Sequence, residues 1–252
     1  MSTDTASSTG VETQVAALGT ILSIWAHPDD ETYLAGATMA AARALGQRVV
    51  CASATAGEHG TDDPLGWPPE RLGAVRRWEA AAAMAVLGVH EHTIGGLPDG
   101  GLSDHAAEGL AWVRRLIDEV EPDTILTFGP DGSTFHPDHL AVHRWVCAAW
   151  AERPGSARLL HSVTSEEHLR RFGGLYEEWG VYMSDDRPVG SPASDLALDL
   201  QIDGSLLDRK LTALRAMATQ TGEVMGSLDP DLYAAVVRDE CFVDAARPPR
   251  DE

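Results

Sequence analysis

Lysine is nearly missing from this chain. Lys210 is the only one in 252 residues, so the other members of the 19 Lys and Arg residues are arginine, set against 39 acidic residues. A formal net charge of −20 leaves no basic face for a polyanion. That argues against a nucleic-acid binder and against electrostatic attachment to an anionic membrane; the acidic surplus reads as a solvated surface. Cysteine is scarce as well. Cys51, Cys147 and Cys241 show no paired spacing, so no disulfide framework is expected. Cys51 and Cys147 sit in apolar contexts and read as reduced core residues, which suits a cytoplasmic protein. No run of about 18 apolar residues is present to cross a membrane, and no basic-then-apolar leader opens the chain. A Ser nucleophile elbow and a Cys in a reactive turn are both missing, which favours direct attack by water over a covalent intermediate.

What the chain does have is one piece of grammar used twice. The apolar run Ile21–Trp25 reads as a buried strand. It is followed by Ala26-His27-Pro28-Asp29-Asp30-Glu31 and then by a helical pattern from about Leu34 to Leu45, closed by Gly46. A second strand-like run, Thr124–Phe128, leads through Gly129-Pro130-Asp131-Gly132 to Phe135-His136-Pro137-Asp138-His139 and a helix from Leu140 to Trp150. Strand-to-helix turns at the carboxyl edge of an open α/β sheet are where such folds bind ligands. If the two strands are neighbours, both turns face one crevice. His27, Asp30 and His139 could then supply three ligands to one Zn²⁺ and leave a position open for water.

These two motifs resemble the PIG-L/LmbE-like zinc N-deacetylases. The resemblance runs from about Thr20 to Gln220. It implies an α/β, Rossmann-like, mostly parallel sheet flanked by helices, with a C-terminal extension or lid. It implies zinc on His27, Asp30 and His139, Asp29 as general base, and His136 assisting the oxyanion or the leaving group. Asp138 is expected to orient either His136 or a metal ligand. The implied substrate is a small molecule containing an N-acyl amino sugar, with no nucleic-acid or membrane partner. An amidase acting on a thiol conjugate and a divalent-metal phosphoesterase are the alternatives; carboxylate-rich turns favour hard cations, but two His suit zinc better.

Weaker signals lie between the motifs. Arg76 and Glu79 match an Arg-x-x-Glu signature of the resembled family, which places Arg76 near the acidic site to balance charge or to bind substrate hydroxyls; the alternative is a surface ion pair. Asp99, in the turn Pro98-Asp99-Gly100-Gly101, is a substrate-contact candidate or simply a turn former. His59 is a site candidate or a surface residue, and His90 and His92 read as a solvated edge. Lys210 and Thr219-Gln220 also match, but Met217 stands where the resembled family has His. Residues 1–17 read as a disordered tail, 18–246 as one α/β domain, and 247–252 as a second tail. Within the domain, 165–194 breaks the strand–helix alternation and carries Tyr176, Trp179 and Tyr182, as a substrate lid does. Oligomeric state is not written in the sequence.

Overall fold

The computed structural model describes residues 4–246. Among them seven strands alternate with nine α-helices. The strands are β1 (Ile21–Trp25), β2 (Val49–Ser53), β3 (Glu91–Ile94), β4 (Thr124–Phe128), β5 (Arg158–Val163), β6 (Leu198–Gln201) and β7 (Asp239–Asp244). The helices are α1 (Asp4–Ala16), α2 (Asp30–Ala44), α3 (Pro69–Leu87), α4 (Ala106–Val120), α5 (Pro137–Ala151), α6 (Glu166–Glu178), α7 (Gly204–Arg215), α8 (Ala218–Ser227) and α9 (Pro230–Val237). All strands join one sheet in the order β3-β2-β1-β4-β5-β7-β6. The first five are parallel to one another, and β7 runs antiparallel to both β5 and β6.

Chemistry explains the order. β1, β2 and β4 are buried at every position, as expected of central parallel strands covered on both faces, and their sequences are correspondingly unbroken apolar runs with small polar residues. β3 alternates exposed and half-buried residues at the edge. β1 lies between β2 and β4, pairing Ile21 with Thr124 and Ser23 with Leu126. Strand order reverses there, so the turns after β1 and β4 open into the same crevice. At its floor Trp25 meets Phe128 edge to face, with ring centroids 4.9 Å apart.

One expectation changes. Of the tail expected over 1–17, residues 1–3 lie outside the described residues, and Asp4–Ala16 form helix α1, with Val11 and Val15 buried and Gln14 exchanging hydrogen bonds with the backbone of Asp199. Its Ser/Thr-rich start masks an i, i+4 apolar pair that packs onto the domain. The tail expected at 247–252 lies outside the described residues. A 3₁₀ turn (Leu102–His105), which includes Asp104, precedes α4. β7, the last strand in the chain, is inserted between β5 and β6. α8 follows α7 closely, with Met217 as the residue before its first turn.

Candidate metal centre and active site

Both His-Pro-Asp turns place non-glycine residues at positive φ. Asp29 has φ 133°, and Ser133 and Phe135 have φ 63° and 61°. They are three of the four non-glycine residues with positive φ among the described residues, and such strain concentrates where function holds it in place. In the first turn the Asp29 N–H donates to the buried Glu31 carboxylate at 3.1 Å. In the second, His136 caps α5: its Nδ1 accepts the Asp138 N–H at 3.1 Å. Pro137 starts the helix where a missing N–H costs nothing. The first turn of α5 then points Asp138 and His139 inward, where both are buried.

His27, Asp30 and His139 are brought together. His27 Nδ1 is 3.2 Å from His139 Nε2, Asp30 Oδ2 is 3.5 Å from His27 Nδ1, and Asp30 Oδ1 is 3.3 Å from His139 Nε2. A tetrahedral ion with bonds of about 2.0–2.1 Å has donor-to-donor edges of about 3.3 Å; the separation of the two imidazole nitrogens, and that of each nitrogen from the Asp30 oxygen facing it, lie close to that value. Each imidazole is also aimed from behind. His139 Nδ1 lies 2.8 Å from the Gly132 carbonyl oxygen; a carbonyl only accepts, so Nδ1 holds the hydrogen and Nε2 turns its lone pair to the centre. His27 Nε2 faces Asp99 at 3.0 Å and Asp138 at 3.3 Å, which keeps the hydrogen on Nε2 and frees Nδ1. Gly132 has φ 61°, and a Cβ there would stand 2.8 Å from the His139 Cβ, so this close approach needs glycine.

The electrostatics favour a cation. Burial lowers the pKa of His139 to about 4, which leaves the neutral, ligating form at pH 7. Burial disfavours a charged His27 too, yet hydrogen bonds to Asp138, Asp30 and Asp99 outweigh it and raise its pKa: the surrounding carboxylates demand positive charge. Burial also pushes Asp30 up, but His139 and His27 prevail and hold it below the ordinary carboxylate range. Asp29 behaves differently. Burial raises it to about 6 against the opposing pull of Arg76. Glu31 is raised to about 8 by burial.

Other expected site residues sit in different roles. Asp138 accepts from the N–H groups of Gly100 (2.8 Å) and Leu102 (3.0 Å) while facing His27. Of its two expected partners, its carboxylate therefore faces His27, while its backbone N–H goes to His136. Asp99, expected to contact substrate, is turned inward between His27 and the His59 N–H (2.7 Å); the His59 side chain itself is exposed. Arg76, also expected to contact substrate, is only 3% exposed. It donates to the carbonyls of Gly57 (2.7 Å) and Pro28 (2.6 Å) and reaches Asp29 at 3.3 Å. It therefore holds the first turn. Glu79 does not pair with it but accepts from Thr219, and Met217 is core, 1% exposed. His136 packs against His27 and His139 with ring centroids 4.9 Å away from each. Glu31, Gly132, Phe128 and Thr134 escaped the sequence reading. Phe128 stacks on the His139 ring at 4.2 Å, and nothing local in the sequence marks any of these contacts.

Beside the centre lies a cavity of about 430 Å³ that reaches Asp30 and His139. Its walls are mostly apolar, with Tyr33, Tyr176, Trp179, Tyr182, Tyr233 and Val237 prominent, and among the described residues no Lys or Arg lines it. The Tyr33 and Tyr233 hydroxyls are 2.9 Å apart. Met183, in the loop after α6, donates its N–H to the Thr134 carbonyl (2.8 Å) and ties that loop to the second turn.

Comparison with known proteins agrees with this architecture. The family model described as GlcNAc-PI de-N-acetylase (PIG-L) matches residues 22–150. A 1D-myo-inositol 2-acetamido-2-deoxy-alpha-D-glucopyranoside deacetylase of Mycolicibacterium vanbaalenii is 34% identical, covering 84% of this chain and 82% of its own. A protein of the same name from Saccharomonospora viridis is 31% identical over 85% of this chain and 88% of its own. Among solved structures, N,N'-diacetylchitobiose deacetylase from Pyrococcus horikoshii superposes with a TM-score of 0.65 at 21% identity, covering 93% of this chain and 86% of that one; at that identity the likeness speaks for the fold. The chain belongs to the PIG-L family.

Proposed function

We propose that this member of the family is a metal-dependent amide hydrolase. It removes an N-acetyl, or another N-acyl, group from a small molecule containing an amino sugar, with zinc held by His27, Asp30 and His139. The observation that carries this reading is the convergence of His27 Nδ1, His139 Nε2 and the Asp30 carboxylate, whose two oxygens each face one of the imidazole nitrogens, at separations of 3.2–3.5 Å. The names of the curated relatives and of the chitobiose enzyme all specify deacetylation, which supports it.

Zinc in such a site lowers the pKa of a bound water to about 7 and polarises an acyl carbonyl. The chain supplies the rest. Asp29, poised near 6, accepts the proton of the attacking water and returns it to the departing amine. Arg76 fixes the Asp29 carboxylate and the Pro28 carbonyl behind it. Because His136 Nδ1 already accepts a hydrogen bond, its neutral ring carries hydrogen on Nε2 and offers it to the oxygen on which charge develops. Burial, and then His27, lowers the His136 pKa, so it acts as a neutral donor. A cavity wall without Lys or Arg among the described residues gives a phosphate no guanidinium or ammonium to pair with, which favours an amide over a phosphoester. Segment 165–194 serves as the substrate lid. The three unpaired cysteines suit a reducing cytoplasm.

The test joins metal analysis to product analysis. His139→Ala should lose both the tightly held zinc and the release of acetate from N-acetylglucosamine-type substrates. A His139→Ala protein that keeps a full equivalent of tightly held zinc would remove His139 from the ligand set. Release of phosphate and not of acetate from a substrate panel would replace the reaction.

A further inference from the structure

The helix that supplies His139 carries two more ligand-type side chains on the same face. His143 and Cys147 follow at successive i+4 steps along α5, and β5 presents His161 opposite them. Cys147 Sγ lies 3.4 Å from His161 Nε2 and 3.7 Å from His143 Nε2. The two imidazole centroids are 4.8 Å apart. His143 Nδ1 is 2.9 Å from the Phe128 carbonyl oxygen. As at His139, the carbonyl keeps the hydrogen on Nδ1 and turns the Nε2 lone pair toward the neighbouring ligand atoms.

We propose that His143, Cys147 and His161 form a second metal site, separate from the His27, Asp30 and His139 centre. It takes Zn²⁺ or a cation of similar softness, with water as the fourth ligand. With Zn–S of about 2.3 Å and Zn–N of about 2.0–2.1 Å, a tetrahedral S-to-N edge is about 3.6 Å, and the two observed separations bracket that value. Hydrogen-bond accounting points the same way. A thiol has one hydrogen. If Cys147 donates it to His161 Nε2, the His143 Nε2 lone pair is left facing a sulfur lone pair. A cation satisfies all three atoms at once, the thiol proton leaving to solvent as the S–metal bond forms. Thiolate with imidazole is a donor set suited to zinc and poor for magnesium or calcium. All three residues are half-buried, so solvent can deliver an ion and complete its coordination. The charged groups felt by His143 are Arg144, which opposes a cation, and Asp131, which favours one.

The position has a consequence. Phe128 offers its carbonyl to His143 and its ring to His139. An ion at the second site ties α5 to β5 directly behind the wall that supports His139. The proposal does not rest on the deacetylase reading, because its ligands and its signal are separate.

Cobalt titration of chelator-stripped protein tests it. The first centre contains no sulfur, so a thiolate-to-cobalt charge-transfer band in the near ultraviolet reports only a cysteine site. Wild-type protein should bind two equivalents of Co²⁺ and show that band, and Zn²⁺ should erase it. Cys147→Ser and His161→Ala should each lose the band and one equivalent while retaining the other. If the serine variant does not fold, the His161→Ala spectrum decides in the same way. Wild-type protein that takes up one equivalent with no charge-transfer band overturns the proposal. So does a band that survives in Cys147→Ser, which would place the thiolate at Cys51 or Cys241.

Discussion

Lys210 Nζ lies 2.7 Å from the Glu240 carboxylate, and both side chains are fully buried. The chain's only lysine is therefore spent in the interior. Lys210 also donates to the Tyr33 carbonyl at 2.7 Å. Glu240 accepts from the N–H groups of Ala37 and Thr38 and from the Thr38 hydroxyl, at 2.6–2.8 Å. One ion pair thus staples α7 and β7 to α2, the helix whose first residue is Asp30. Glu240 retains neutral donors, so its charge is well solvated by the protein even before the lysine is counted.

Lys210→Met should nonetheless destabilise the fold strongly, because the carboxylate would be left without its cation. Loss of one partner of a buried pair typically costs about 3–5 kcal/mol. Urea denaturation at matched metal loading measures it. A loss below about 1 kcal/mol, the range of surface pairs, would mean that the three neutral donors alone suffice for Glu240.

Asp29 and Arg76 can be separated from metal binding. Asp29→Asn should retain zinc while turnover falls by about 10²–10⁴-fold, as for a lost general base. Gly57 has φ 63°, and a Cβ there would stand 2.1 Å from Arg76 Nη1. Gly57→Ala should therefore displace the guanidinium, retain zinc and lower turnover by about 10²-fold through misplacement of Asp29. Steady-state kinetics on zinc-loaded proteins reads both. Wild-type turnover in Asp29→Asn would take Asp29 out of the mechanism.

Tyr176, Trp179 and Tyr182 line the cavity, and Tyr176 and Tyr182 meet edge to face with centroids 6.3 Å apart. Trp179→Ala should raise KM for large acyl-sugars and leave small amides, which reach only the metal, hydrolysed nearly as before. Equal losses on both substrate sizes, or a large drop in Tm, would assign the tryptophan to packing.

Acid should destabilise the protein partly through His92. Burial lowers its pKa from 6.5 to about 4, and its Nε2 is buried without a hydrogen-bond partner. Below pH 6.5 the unfolded chain takes up a proton that the native state refuses until about pH 4. Stability is therefore complete above 6.5 and declines as pH falls through this window, by on the order of 1–3 kcal/mol. His92→Gln should flatten the slope of ΔG against pH between 6.5 and 4. An unchanged slope would show that other groups carry it.

The sequence alone determined the alternating architecture and the two site turns. Strands such as Ile21–Trp25 and Thr124–Phe128 are continuous apolar runs, and their burial on both faces is a local property of composition. The two His-Pro-Asp turns are local as well, so their residues could be named before any contact was known. What only the tertiary structure decided is which atom faces which. Asp99 and Asp138 converge on His27 from two distant segments, and Arg76 crosses from α3 to hold Asp29. Likewise β7 slips between β5 and β6, and α1 docks through Val11 and Val15. Periodicity reports which face of an element avoids water. It is silent on hydrogen-bond partners, which are chosen by proximity through space between residues far apart in the chain.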